Sequence, residues 1–302
     1  MYNFVPVNRH IMSKFINPFT DLGFKRIFGQ EVSKPVLLTF LNSLLEGEHH
    51  ILDLTFLDKE QPGESLDDRS LIYDILCETD TGEHIIVEMQ NKSQPYFKER
   101  SVYYVARAIS RQGDPGSQWH YSDLKAVYLV AFLNFKRDDI STRFRTDVCL
   151  MDMSLKTSFT DKERMIFLQL PYFTKEAEDC ESIFDKIIFV LKHMDVLKRM
   201  PWMAQEAVFQ KLASIADVAS LSRQERIAYD ENLRRYRDTV AVYEGQYLEG
   251  MEKGMEKGME KGIEKGVLQE KQENARKMKG LGITIYIIAQ VTGLTQEQIE
   301  QL

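Results

Sequence analysis

The sequence has few cysteines and no apolar run long enough to cross a membrane. Its three cysteines, Cys77, Cys149 and Cys180, are widely spaced and odd in number, which argues against a disulfide framework or a zinc ribbon and fits a reducing compartment. The longest apolar runs fall far short of the roughly 20 residues that a transmembrane helix needs. The first residues also lack the apolar stretch and cleavage site of a signal peptide. We therefore expect a cytoplasmic protein without membrane contact.

An excess of positive charge is missing as well. The 302 residues include 46 acidic and 39 basic ones, a formal net charge of -7, so any contact with a polyanion must come from a local basic patch. The six histidines show no metal-ligand spacing, and the sequence has no Walker loop, Rossmann glycine pattern or local Ser-His-Asp signature. With 43% hydrophobic residues the chain can build one or two domains with real cores.

The sequence does contain a predicted β-hairpin, over residues 71–90, that pairs two carboxylates. Its arms are joined by Asp80-Thr81-Gly82, a three-residue loop with glycine at the position that requires a left-handed backbone. Counting back from this turn places Asp74 directly opposite Glu88. Like charges in such a pair repel each other, and the surrounding apolar residues leave little water to screen them. The pair therefore needs a bound cation or a shared proton.

Strand alternation predicts which side chains of the hairpin share a face. In the second arm, Glu88 and Gln90 lie on the same face. In the first arm, Asp74 shares a face with Ile72 and Leu76, and the opposite face carries Leu71, Tyr73, Ile75 and Cys77.

Two opposed carboxylates are suited to bind Mg²⁺, which prefers hard oxygen ligands and keeps positions for water and a phosphate. Such a metal can polarise a phosphate and lower the pKa of a bound water, and Gln90 could orient that water. The alternative is a pair of solvated acids on the polar face of the hairpin, and the spacing alone leaves the two interpretations equally open.

The rest of the pattern predicts an α/β protein, with a mixed sheet and flanking helices. Thr20 and Ser33 are predicted helix N-caps. The predicted helices cover 17–31, 33–46 and 95–112, and the predicted strands cover 51–60 and 124–135, with weaker signals at 144–153 and 164–172.

The predicted helix over 95–112 has two faces. Its apolar face consists of Val102, Val105, Ala106 and Ile109, and its basic face of Arg100, Tyr104, Arg107 and Arg111. Arginine can bind phosphate in a bidentate manner, and tyrosine can stack or donate a hydrogen bond. A solvated helix face would also explain these residues, but three arginines without an acidic neighbour favour contact with DNA phosphates.

The C-terminal part of the sequence is predicted to be helical. We divide it into a helical region (176–248), a repeat helix (249–275) and a small two-helix module (276–302). The repeat is Gly-Met-Glu-Lys three times, then Gly-Ile-Glu-Lys, and each interior glycine costs about 1 kcal/mol relative to alanine. We therefore expect it to be helical only when packed, as in a homo-oligomer. The terminal module could read DNA as a helix-turn-helix, but the absence of basic residues from its last helix favours packing or dimer formation.

Four sequence segments resemble one nuclease family. The order of helix, strand, Asp-bearing strand, Glu-x-Gln strand and arginine-rich helix resembles the core of PD-(D/E)xK nucleases. Over about residues 14–172 the chain is similar to the Rpn family of recombination-promoting nucleases, also described as PD-(D/E)xK family transposases. We therefore place a nuclease-like domain at 14–175. The matching segments are TDLGFKRIFG at 20–29, FLNSLL at 40–45, YDI at 73–75 and VEMQNK at 87–92.

This resemblance implies a restriction-endonuclease-like core and an endonuclease that cleaves DNA with Mg²⁺ or Mn²⁺ in recombination or transposition. By the family pattern, Asp74 and Glu88 bind the metal, the Met89 carbonyl is a further ligand, and Gln90 is catalytic. Gln90 stands where the wider superfamily has lysine, and glutamine cannot stabilise an anionic transition state with a positive charge. The alternative is therefore a nuclease-derived, non-catalytic DNA-binding or oligomerising protein.

Asp21 is a further candidate ligand, because it lies in the matching TDLGFK segment. It could supply a third acidic group to the metal. The competing explanation, which its position favours, is that an acid in the first turn of a helix stabilises the helix dipole.

Overall fold

The computed structural model describes residues 13–48, 50–61, 71–113 and 119–302. The helices are α1 (Asp21–Phe28), α2 (Lys34–Leu44), α3 (Phe97–Ser110), α4 (Ile183–His193), α5 (Ala207–Ala216), α6 (Arg223–Gly280), α7 (Ile285–Thr292) and α8 (Gln296–Glu300). The strands are β1 (Leu54–Phe56), β2 (Glu60–Gln61), β3 (Leu71–Ile72), β4 (Ile75–Thr79), β5 (His84–Gln90), β6 (Val127–Leu133), β7 (Arg145–Val148) and β8 (Glu163–Gln169).

A mixed six-stranded sheet organises the first part of the chain, in the order β1-β4-β5-β6-β8-β7. The strands β1, β4 and β5 are antiparallel, β5, β6 and β8 are parallel, and β7 is antiparallel to β8. The strand β6 is apolar along most of its length because both of its faces are covered. The predicted mixed sheet is thus confirmed, and β8, which has only a weak sequence signal, is buried over its last five residues.

Each face of the sheet has its own hydrophobic core. On one face, Phe132 of β6 packs against the rings of Phe24, Phe28 and Phe40, with centroids 5.1–5.9 Å apart, and the core continues to α4 and α5. On the other face, Val105 of α3 packs in a second cluster with residues of β5, β6 and β8. The sheet is therefore covered on both sides, and α3 lies on the face that carries Glu88 and Gln90.

Local contacts explain part of the TDLGFK segment. The Thr20 hydroxyl accepts a hydrogen bond from the Gly23 backbone N–H at 3.0 Å, so the predicted N-cap of α1 is confirmed. Gly23 is required because a Cβ there would lie 2.1 Å from the Asn17 carbonyl oxygen. Phe24, Ile27 and Phe28 point into the core. Helix capping and core packing therefore explain most of the residue types in this segment.

Two predictions about helices hold only in part. Ser33 occupies the N-cap position of α2 as predicted, but its hydroxyl makes no capping bond to that helix and donates instead to the Gln30 carbonyl at 2.9 Å, because Ser33 also ends a 3₁₀ turn. On α3, Val102 is 53% exposed and Ala106 is exposed as well. Val105 is buried as predicted and Ile109 is partly buried against the same cluster, and the other side chains of α3 that pack are Phe97, Ser101 and Ala108. The buried face of α3 is thus shifted from the predicted apolar face and includes small residues.

The chain divides into two compact units, one up to Asp238 and one from Thr239 onwards. In the first unit, the start of α6 is anchored where the Tyr229 hydroxyl accepts the Asn17 backbone N–H at 2.7 Å. In the second unit, a small core surrounds Ile288 and Ile299, and α7 ends at Gly293, near the predicted junction of two short helices. The domain boundaries drawn from the sequence remain predictions.

The repeat segment lies within the continuous helix α6, and all of its side chains from 244 to 271 are exposed in the single chain. That the segment needs packing against a second copy to stay helical remains a prediction. Ion pairs one turn apart, such as that between Glu249 and Lys253, favour the helix. No helix in the described part of the chain is long and apolar enough to span a membrane.

Candidate active site

The β4–β5 hairpin has the register that the sequence predicts. Ile75 lies opposite Val87, and the Thr79 backbone N–H donates to the Glu83 carbonyl at 2.9 Å. The turn closes through Gly82, whose backbone has φ of +92°. The predicted register is therefore confirmed along β4, and the same count, continued one residue beyond Ile75, puts Asp74 opposite Glu88.

The predicted alternation fails just before this pair. The strand β4 begins only at Ile75, and Asp74 lies in a bend between β3 and β4. As a result, Leu71 and Tyr73 pack on the opposite side of the sheet from Ile75, in the cluster that contains Leu76. The cause is that β3 pairs with β2 in a separate two-stranded sheet. The bend allows Asp74 to turn towards β5.

Backbone hydrogen bonds hold the two carboxylates side by side. The Asp74 backbone N–H donates to Glu88 Oε1 at 3.1 Å, and the Met89 backbone N–H donates to Asp74 Oδ2 at 2.8 Å. In a strand, the N–H and C=O of one residue point to the same side, so the Met89 carbonyl also points towards Asp74. The two predicted carboxylate ligands thus lie together, and the backbone of Met89 contacts one of them.

The electrostatic environment of the pair is unfavourable for two negative charges. Glu88 is only 6% exposed, and burial, together with the charge of Asp74, raises the pKa of Glu88 to about 8. Burial also raises the pKa of Asp74. The charge of Arg100 opposes both shifts. A proton or a cation would relieve the repulsion.

Gln90 joins the acidic pair to the arginine-rich helix. Its Nε2 donates to Glu88 Oε2 at 3.1 Å, and its Oε1 accepts a hydrogen bond from Arg100 Nη2 at 2.8 Å. A guanidinium can only donate and an ionised carboxylate can only accept, so these partners fix the orientation of the amide. Gln90 therefore bridges a carboxylate and a cation.

A small cleft opens next to this bridge. It is lined by Glu88, Gln90, Phe97, Arg100, Ser101, Tyr104, Leu129 and Ala131. The predicted basic face of α3 is therefore divided, because Arg100 and Tyr104 line the cleft and the other two arginines do not. The other two arginines lie near Tyr73 instead. Burial raises the pKa of Tyr73 to about 12, and the charges of Arg111 and Arg107 oppose that rise.

This arrangement was compared with known proteins. The family model described as PD-(D/E)XK nuclease family transposase matches residues 18–246, which is well over half of the chain. The chain belongs to this family. The search of curated proteins and the search of solved structures gave no match. The mixed sheet with flanking helices is the α/β fold of PD-(D/E)XK nucleases, so the family and the fold predicted from the sequence are confirmed.

In this PD-(D/E)XK chain the role of Asp21 remains a prediction. Its carboxylate lies 2.5 Å from Lys25 Nζ, and its side chain is 61% exposed. Burial raises the pKa of Asp74, and the negative charge of Asp21 raises it further. Among the described residues, no group of three or more His, Cys, Asp and Glu side chains is arranged to hold a metal.

Sequence reasoning missed two residues that shape the site of this PD-(D/E)XK protein. The Gln94 side-chain oxygen accepts a hydrogen bond from Arg100 Nη1, and the Phe97 ring centroid lies 5.6 Å from the Arg100 guanidinium carbon. Gln94 lies outside the regular elements, so strand or helix periodicity gives no signal for it. Phe97 begins α3 and is recognisable from sequence only as a buried aromatic residue.

Proposed function

We propose that this protein is a DNA endonuclease that requires Mg²⁺ or Mn²⁺, acts in recombination or transposition, and works in the cytoplasm. The observation that carries the proposal is the opposition of Asp74 and Glu88, held side by side through backbone hydrogen bonds. Membership of a nuclease family of transposases supports the choice of DNA as substrate.

The donor groups at the pair fit a hard divalent cation. Asp74 and Glu88 supply carboxylate oxygens, and the Met89 carbonyl points to the same place. Three such oxygens would leave coordination positions for water and a phosphate. A metal bound here would polarise the phosphate and lower the pKa of a water molecule.

The reaction is the hydrolysis of a phosphodiester. The oxygen of a water molecule forms a bond to phosphorus as the bond from phosphorus to a sugar oxygen breaks. One proton of that water is taken up by the leaving sugar oxygen, and the other stays on the new phosphate monoester or passes to solvent. Arg100 and Tyr104 line the cleft beside Glu88, where they would contact the phosphate, and Arg107 and Arg111 would bind the DNA backbone further along α3.

Cleavage of supercoiled plasmid tests this function. The wild-type protein should cleave with Mg²⁺ and not with EDTA, and Glu88→Ala and Glu88→Gln should remove cleavage. The matched control is Glu78→Gln, the same change in the same hairpin at a partly exposed residue whose side chain faces His84, and it should cleave normally. Absence of cleavage by pure, folded wild-type protein with either metal would overturn the proposal.

A second candidate function is a nuclease-derived protein that binds DNA or self-associates without turnover. It is favoured by Gln90, which stands in place of the lysine of the superfamily. Under this alternative, DNA binding would be equal in Mg²⁺ and in EDTA. Fluorescence anisotropy with labelled duplex DNA distinguishes the two functions.

A further inference from the structure

The hydrogen-bond partners of the Arg100 guanidinium are neutral amide groups. Its guanidinium donates to the side-chain oxygens of Gln90 and Gln94, and no carboxylate of the described residues lies within ion-pair distance of it. By contrast, Arg137 pairs with Asp139. Because neutral amides do not cancel a positive charge, Arg100 keeps its full charge for an anion.

The guanidinium is also fixed in place within the cleft. Its carbon lies 5.6 Å from the ring centroid of Phe97 and 5.8 Å from that of Tyr104. The Arg100 backbone N–H donates to the Tyr96 carbonyl at 2.9 Å, so the residue sits in the first turn of α3. A cation held this rigidly in a partly dry cleft can stabilise developing charge without reorganising.

Gln90 separates two opposite charges that would otherwise pair directly. Its amide contacts Glu88 at one end and Arg100 at the other, at 3.1 and 2.8 Å. In a direct ion pair, the negative charge of Glu88 and the positive charge of Arg100 would neutralise each other. With the amide between them, the carboxylate stays available to a cation and the guanidinium to a phosphate.

We propose, on the basis of the nuclease function above, that Arg100 contacts the scissile phosphate and that Gln90 is a positioning residue acting through Arg100. Negative charge grows on the phosphate oxygens as the bond from the water oxygen to phosphorus forms and the bond to the leaving sugar oxygen breaks. The Arg100 N–H groups donate to those oxygens. This assignment replaces the role in orienting water that the sequence suggests for Gln90.

A kinetic double-mutant cycle tests the assignment. Single-turnover cleavage of duplex DNA is measured with saturating Mg²⁺ for Gln90→Met, Arg100→Gln and the double variant, with circular dichroism confirming that each is folded. Arg100→Gln should lower the rate about a hundredfold or more, and Gln90→Met about tenfold. The double variant should be no slower than Arg100→Gln, because Gln90 has nothing left to position. Losses that multiply would show that Gln90 acts independently and would overturn the assignment.

Two further variants separate chemistry from folding. Arg100→Lys retains a charge without the second donor group, so it should be faster than Arg100→Gln; equal rates would contradict a role for the charge. The control Arg226→Gln removes an arginine from a partly exposed ion pair with Asp230 on α6, and its rate should match that of the wild type.

Binding of Mn²⁺ without DNA, measured by calorimetry, gives a readout that does not depend on cleavage. Removing a cation that acts on both carboxylates should tighten Mn²⁺ binding by Arg100→Gln about threefold or more. Unchanged affinity would place Arg100 too far from the pair and would overturn the inference. If the wild type neither binds Mn²⁺ nor cleaves, the nuclease function itself fails and the inference with it. If the wild type binds Mn²⁺ and cleaves DNA, and the rate losses of Gln90→Met and Arg100→Gln multiply in the double variant, only the inference fails.

Discussion

The backbone N–H of Asp74 donates a hydrogen bond of 3.1 Å to Oε1 of Glu88, the residue directly opposite it in the hairpin. Two acids that should repel each other are therefore held together by the backbone, without a lysine or arginine side chain between them. The geometry is preformed because it depends on the bend at Asp74 and on the hairpin register.

Asp74→Ala should abolish Mg²⁺-dependent DNA cleavage and leave the fold intact, because it removes a ligand and a repelling charge together. Asp74→Asn is the matched variant, since its side-chain oxygen can still accept the Met89 N–H. Both are compared with wild type by plasmid cleavage and circular dichroism. Retained cleavage by a folded variant would remove Asp74 from the mechanism.

Without metal, the protein should lose stability as the pH rises from about 5 to 8. The folded-state pKa of Glu88 is about 8, above its ordinary value of 4.5, so the folded protein binds the proton more tightly than the unfolded chain. This stabilisation is complete below the unfolded pKa and is lost as the pH rises through the folded pKa. Scanning fluorimetry in EDTA should show a fall in Tm of about 5 °C or more.

Glu88→Gln is the control for this pH effect, because it cannot ionise. Its Tm should stay nearly flat over the same pH range, and added Mg²⁺ should raise the Tm of the wild type more at pH 8 than at pH 5. Parallel curves for the two proteins would show that Glu88 does not titrate in this way.

Arg107→Gln and Arg111→Gln should weaken DNA binding at low salt and leave Mn²⁺ binding unchanged. Arg107 lies on α3 beyond the cleft and Arg111 is the C-cap of that helix. Each substitution removes one charge, so each should reduce the slope of log affinity against log salt by about one. Anisotropy titrations between 50 and 200 mM salt, roughly the range in which such slopes are measured, provide the test. A slope equal to that of the wild type would exclude both residues from the phosphate contact.

Gly23→Ala should destabilise the nuclease domain by about 1–3 kcal/mol, because its Cβ would overlap the Asn17 carbonyl oxygen. Urea unfolding followed by circular dichroism measures the change. Gly254→Ala is the matched control, with no atom within 4 Å of the added Cβ, and it should increase helix stability by about 0.5–1 kcal/mol. Equal effects at the two positions would refute the packing argument for Gly23.

Truncation near residue 245 tests whether the repeat helix mediates self-association. The exposed side chains from 244 to 271 include an apolar series at Met251, Met255, Met259 and Ile263, which a second copy could cover. Size-exclusion chromatography with light scattering should show a larger assembly for the full chain than for the truncated one. The same oligomeric state for both would contradict self-association through the tail.

The features predicted correctly from sequence are those that local chemistry determines. The Asp74–Glu88 pairing follows from the turn at Gly82 and from simple counting along the arms, and Thr20 caps α1 through a contact three residues away. The central strand β6 is recognisable because a strand buried on both faces is apolar throughout.

The features that sequence could not provide depend on distant contacts. The bend at Asp74 arises because β3 pairs with β2 rather than with the hairpin, and no alternation pattern reports that choice. On α3, the small residues Ser101 and Ala108 are buried while Val102 is exposed, and the apolar pattern of the helix alone does not report this. The bridge from Glu88 through Gln90 to Arg100 exists only after α3 has docked, so the sequence suggests its members without their connection.

The repeat in α6 has a consequence for how the length of this chain can vary. One Gly-Met-Glu-Lys unit adds four residues, which lengthens a helix by about 6 Å and turns its far end by about 40°. Because side chains from 244 to 271 are exposed, duplication or deletion of whole units would disturb no buried contact. Within the second unit, the helices α7 and α8 would shift along the axis of α6 in steps of this size, so tandem duplication can change the length of the helix without changing the small core at its end.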